Sequence, residues 1–216
     1  MKTIVQIVLW IVCVGLGFLI YRSVTGPIEF KKVKQERFTQ VINTLKDIRD
    51  SQMAYRTVNG KYANDFESLI AFVDTGRYTI TQQRDSSYME YDKVYGIDML
   101  KEITIIDTLG FVSVKDSLFG TSERYKSMMN VPYAQGGEKF TIKADVIEKG
   151  GYSAPVFEVK VAKDVILADQ PKDLRARENA QISVEEVNGS EIKVGSLTDV
   201  STNGNWPPIY DKKGNQ

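Results

Sequence analysis

Histidine is absent from the 216 residues, and cysteine occurs once, at Cys13. Without histidine the chain lacks the usual general base, the commonest metal ligand and the only side chain whose ordinary pKa lies near neutrality. Most hydrolase templates are thereby excluded. A single cysteine, set inside an apolar run, rules out an intrachain disulfide and a thiolate zinc site, and it leaves the redox compartment open. Net charge is missing too: 28 basic and 28 acidic side chains cancel. They are scattered rather than blocked, so no global field draws nucleic acid or an acidic partner. No repeat with a period of about 20 to 50 residues is present. The length suits one anchored domain or two small ones.

What is present begins with "IVQIVLWIVCVGLGFLIY", residues 4–21, which carry no charge. At about 1.5 Å per residue the run approaches the roughly 30 Å of a hydrocarbon core. Residues 1–22 therefore read as a single transmembrane anchor, with Gln6 near one headgroup layer, Tyr21 and Arg22 at the other, and Trp10 deeper than an aromatic belt predicts. A cleaved secretory signal is the competing reading. The run is longer than a usual h-region, however, and no A-x-A-like site follows it. The flanking charges, Lys2 before the span against Arg22, Lys31, Lys32, Lys34 and Arg37 after it, favour a cytosolic body. Only Arg22 is adjacent to the span; the other four follow Gly26-Pro27.

Gly26-Pro27 predicts a break in any continuous helix, with a hinge or kink there, because proline disfavours helix at and before its position, so residues 23–30 read as a linker. Phe38, Val41, Leu45, Ile48, Gln52 and Tyr55 then step by three or four, which predicts an amphipathic helix over 31–58. Asn59-Gly60 tolerates the left-handed conformation that ends a helix. Asn64 or Asp65 caps a second helix bearing Phe66, Leu69, Ile70 and Val73, with Gly76 ending it. Residues 78–135 read as a loop-rich excursion with short extended pieces at 102–107 and 111–115. Period-two alternation predicts strands around 140–146 and 157–161, joined at Gly150-Gly151. "ISVEEV" and "SEIKVGSL" flank Asn188-Gly189, a hairpin signal. "QPKDLRAREN" reads as a loop or a short helix after Pro171, and 206–216 as a tail, frayed over "YDKKGNQ" at 210–216. The resulting expectation is an α+β soluble unit over 31–205, helical over 31–76 and strand-rich over 102–200, with two helices packed on an antiparallel sheet.

A membrane helix, an amphipathic helix ending "NGKYANDFESL" and a following sheet resemble the type II secretion pseudopilins and related type IV pilin-like proteins. Tyr55, the turn Asn59-Gly60-Lys61-Tyr62 and the helix containing Leu69 carry the likeness, within residues 38–73. The resemblance implies a structural component of a secretion or envelope-spanning assembly. It further implies an anchor in the inner membrane, a periplasmic body, and envelope proteins or further copies of the chain as partners. The chain departs from the family pattern by lacking the processing motif and the glutamate of the mature start, and by placing Gly26-Pro27 between span and body. A membrane-tethered adaptor or ligand-binding module unrelated to pilins is the alternative, and an anchored enzyme with a carboxylate site is a third class.

Asp199, Ser201, Asn203 and Asn205 alternate around Gly204 like the first half of an oxygen-ligand calcium loop, although Tyr210 stands where a closing glutamate belongs. An ion-free Asn/Gly turn fits the same residues, so calcium is the only cofactor considered. Tyr88, Tyr91 and Tyr95 form either a recognition strip or one side of a short helix. Phe38, Val41 and Leu45 are candidate interface residues on the helix face, and Trp206 before Pro207-Pro208 is either a docking element or a packed residue. Asp173, Arg175, Arg177 and Glu178 read as a solvated charged face rather than a catalytic cluster. Interaction, with the lipid bilayer and with proteins and not with nucleic acid, is the expected role.

Overall fold

A computed structural model describes residues 2–93 and 95–211 and is α+β. The apolar run and the amphipathic stretch form one helix, α1, Lys2–Asn59. The helix break expected at Gly26-Pro27 does not form, and residues 23–30 are helical rather than a linker, since α1 runs through Gly26 and Pro27. Proline there removes only one backbone bond, the one its N–H would have made to Ser23, while strongly helical sequence on both sides keeps the turn wound. The anchor and the body therefore share a single rod about 85 Å long.

The two halves of α1 meet different surroundings. The large apolar side chains from Leu9 to Val24 are exposed, with none of the candidate span buried by the rest of the protein. From Phe30 onward, the predicted stripe is inward: Phe38, Val41, Leu45, Ile48 and Gln52 are fully buried. The turn after α1 is built as read from the sequence. Gly60, at φ 74°, donates to Arg56 O at 2.8 Å and reverses the chain. Gln52 then clamps the returning strand, accepting from Ala63 N at 2.9 Å and donating to Ala63 O at 2.8 Å. Tyr62 lies against Phe157 with ring centroids 4.6 Å apart. Asp65 caps α2, Phe66–Thr75, by accepting from Ser68 N, while Asn64 accepts from Ala144 N and ties the turn to the sheet.

The segment read as loop-rich is the largest correction. It forms a long hairpin, β1 Arg77–Asp92 and β2 Ile97–Ser113, followed by α3, Val114–Leu118, and a short 3-10 turn at Arg124–Ser127. The second sheet has the order β3-β4-β5, with β3 Thr141–Lys149, β4 Tyr152–Ala162 and β5 Glu191–Ser196, all antiparallel. Ile142, Ala144, Phe157, Val159, Val161, Ile192 and Val194 are matched across it and pack with the α1 stripe in one core. The opposite face carries the cross-strand ion pairs Lys193–Glu158 at 3.2 Å and Lys160–Glu191 at 3.0 Å.

The Asn188-Gly189 hairpin does not form: β5 pairs with β4, and residues 182–187 are not a strand. Lys163, at the start of α4 (Lys163–Ile166), accounts for this by holding Val187 O at 2.6 Å, while Glu186 is drawn to Lys34. The short helix expected after Pro171 is α5, Lys172–Asn179. The tail is ordered through Asp211, with a 3-10 turn at Pro208–Tyr210. Its remainder, 212–216, lies outside the described residues.

Candidate interaction surface

Residues that the sequence nominated for contact turn out to serve the core. Phe38, Val41 and Leu45 are fully buried under the second sheet, so they hold the body together and offer nothing to a partner. Trp206 is buried as well. Its indole donates to Asp211 Oδ1 at 3.1 Å, and its ring fills the space where a Cβ on Gly204 would sit, which explains the glycine. The packed reading of Trp206 replaces the docking reading.

The alternating oxygens of the supposed calcium loop have separate tasks. Asp199 pairs with Lys149 at 2.6 Å, and Ser201 accepts from Asn203 N. Asn205 accepts from Lys193 N and donates to Glu191 O at 2.8 Å, bracing the edge of β5. Asn205 thus spends its carboxamide on backbone that a strand partner would otherwise satisfy. Among the described residues, no group of three or more His, Cys, Asp or Glu is placed to share a metal.

Glu178 is the clearest misreading of a charged residue. It is buried, accepting from Lys34 at 2.9 Å through one oxygen and from Lys163 at 2.9 Å through the other. Lys34 also donates to Glu186 at 2.7 Å. Burial opposes the charge on both lysines. At Lys34 the hydrogen bonds it donates to two carboxylates outweigh it and hold the pKa above the ordinary lysine value; at Lys163, fully enclosed with one carboxylate, burial prevails and the pKa falls. The cluster bolts α5 and the 182–187 segment to α1. Charge alternation along α5 gave no sign of it, because the partners of Glu178 lie outside the helix, 144 and 15 residues away.

The surface left for a partner is the β1–β2 arm. Each strand spans about 50 Å at roughly 3.3 Å per residue, and neither contains a buried residue. The register places Tyr88, Ile97, Met99, Ile103 and Ile105 on one face, and Met89, Tyr91, Leu100 and Ile106 on the other. The first face also holds the cross-strand pairs Arg84–Asp107 at 3.3 Å and Lys101–Glu90 at 2.7 Å. The tyrosines do not form one strip. Tyr88 and Tyr91 point to opposite faces of β1, and Tyr95 sits in the turn beyond it. A two-stranded ribbon has two open edges as well as two open faces. Such a ribbon is only marginally stable in water by itself. Comparison with family models, curated proteins and solved structures gives no match to the chain.

Proposed function

We propose that this protein is a single-pass membrane component that uses the β1–β2 arm to dock onto other proteins of an envelope-spanning or secretion assembly. The observation that carries the reading is the arm: apolar side chains on both faces of a ribbon that no other part of the described chain covers. The undivided α1, apolar and exposed along one half and packed under an antiparallel sheet along the other, supports a pilin-like layout and removes one departure from that pattern. In this reading the anchor sits in the inner membrane with the body on its periplasmic side, and α1 sets where the arm begins. The arm supplies recognition through its faces and open edges.

The alternative, a tethered adaptor with one heterologous partner, uses the same surface. One experiment separates them. A photoreactive amino acid is placed at position 99 or 100, on opposite faces of the arm, or at position 152 in the β3–β4 turn, and cells are irradiated with the chain in its own membrane. The proposal expects discrete adducts from 99 or 100 and none from 152. Adducts at twice the 24.4 kDa chain mass identify an assembly of copies, and a single heterologous mass identifies the adaptor. Equal labelling from all three positions contradicts both.

A further inference from the structure

A second unpacked surface lies at the other end of the body, around the segment that the lysine cluster pulls away from β5. Ile182 and Val184 are each 91% exposed, more than Trp10 in the apolar span at 71%. The segment carrying them is nevertheless fixed at both ends. Ser183 N donates to Asn188 Oδ1 at 2.8 Å, and Glu186 is bonded to Lys34. Val184 borders a groove of about 610 Å³ shared with Lys31, Lys34, Pro207, Pro208 and the exposed Ile209. Two branched apolar side chains held in water on a tied loop are costly unless something covers them.

The covering surface follows from α1. Phe30 is the first residue of α1 that the body buries, and Lys34 is where α5 and the 182–187 segment attach. These elements therefore meet α1 on the turns nearest the apolar span. With hydrocarbon ending near Val24, Lys31 stands only about 10 Å beyond it along a continuous helix. The headgroup layer occupies roughly 5–8 Å of that distance. A helix tilt of about 20° lowers an off-axis loop by a few ångströms more. The exposed Lys31 and Lys32 supply positive charge at this height, and Arg22, about 13 Å nearer the span along α1, adds it at the hydrocarbon boundary, which suits anionic phospholipid; Glu29 and Glu185 temper it.

We propose that Ile182, Val184 and Ile209 form a foot that rests in the headgroup region of the bilayer that α1 spans, fixing the tilt of the body. This rests on the membrane-anchored reading and adds a second contact with the same bilayer. Two-point attachment restricts the body to a narrow range of orientations, which a single helix does not.

The test uses the full chain with Cys13→Ser and either Val184→Cys or Tyr152→Cys, labelled with an environment-sensitive nitrobenzoxadiazole dye. Each is reconstituted in phosphatidylcholine vesicles with and without phosphatidylglycerol. Both substituted residues are exposed, so folding does not depend on them. Flotation reports anchoring separately from the dye. The expected result is flotation of both proteins, with blue-shifted emission quenched by headgroup spin-labelled lipid at position 184 only, strengthened by phosphatidylglycerol. Floated protein whose dye at 184 reads as aqueous as that at 152 overturns the foot and leaves the anchor standing. Failure to float overturns the anchor and the foot together.

Discussion

The two hairpins of this chain have opposite fates. Both β1–β2 and β3–β4 are antiparallel and closed by glycine-containing turns. β4 gains a third strand, an α1 beneath it and the buried residues Phe157, Val159 and Val161. The longer β1–β2 gains none of these. Hydrogen bonding along a ribbon is thus the same local event in both, and burial separates a structural sheet from an arm. Hairpin backbone bonds contribute little net free energy in water, whereas each buried branched or aromatic side chain contributes about 1.5–3 kcal/mol. The arm is the part of the fold whose stability the chain itself does not complete.

That contrast is sharpened first by striking the body where its charges are enclosed. Glu178→Ala strands Lys163 and Lys34 beside one remaining carboxylate. It is expected to cost about 3–5 kcal/mol in denaturant unfolding of the body, with the arm's own signals unmoved. Leu45→Ala opens a cavity under the second sheet and is expected to cost about 2–5 kcal/mol by the same measurement. Asp65→Ala removes the α2 cap and should cost about 1 kcal/mol, leaving the core in place.

A smaller effect comes with pH. The hydrogen bond from Arg37 holds Asp169 at about 2, below the ordinary 3.8. Because its folded pKa is depressed, the stability this carboxylate contributes is present above 3.8 and is lost as pH falls through about 2. Thermal unfolding followed across that window should show this loss, and Asp169→Asn should remove it. The smallest effect is expected in the arm. Ile103→Ala should change body stability by less than about 0.5 kcal/mol, since Ile103 is exposed on the arm and takes no part in the core of the body. The same substitution should reduce arm crosslinking, and a large loss of body stability from it would erase the distinction between the two hairpins, because Ile103 lies outside the core cluster.

The sequence was most legible where one face of an element is buried. The α1 stripe, the α2 cap at Asp65 and the β3–β4 alternation all follow from a core on one side. Gly26-Pro27 does not break the helix, because the local proline penalty is outweighed by helix-forming sequence on both sides. The arm was illegible for the reason that makes it interesting. With both faces exposed, the alternation of Ile97, Met99, Ile103 and Ile105 is interrupted by Leu100, Lys101 and Ile106, and the register shift between Ile80 and Thr81 changes the phase between the strands. Residues 182–187 were misplaced because Lys34 and Lys163 reach them from distant parts of the chain. Gln52 was readable as a polar residue on an apolar stripe, although its clamp on Ala63 needed coordinates.

The most direct test of the arm is amide hydrogen exchange on the full chain reconstituted alone in nanodiscs. The account predicts that β1–β2 amides exchange at least about 100-fold faster than those of β4, and that this gap narrows when the chain is measured in its native membrane with its partners. Protection of the solitary arm equal to that of β4 would contradict it, because the ribbon would then be stable without anything docked against it.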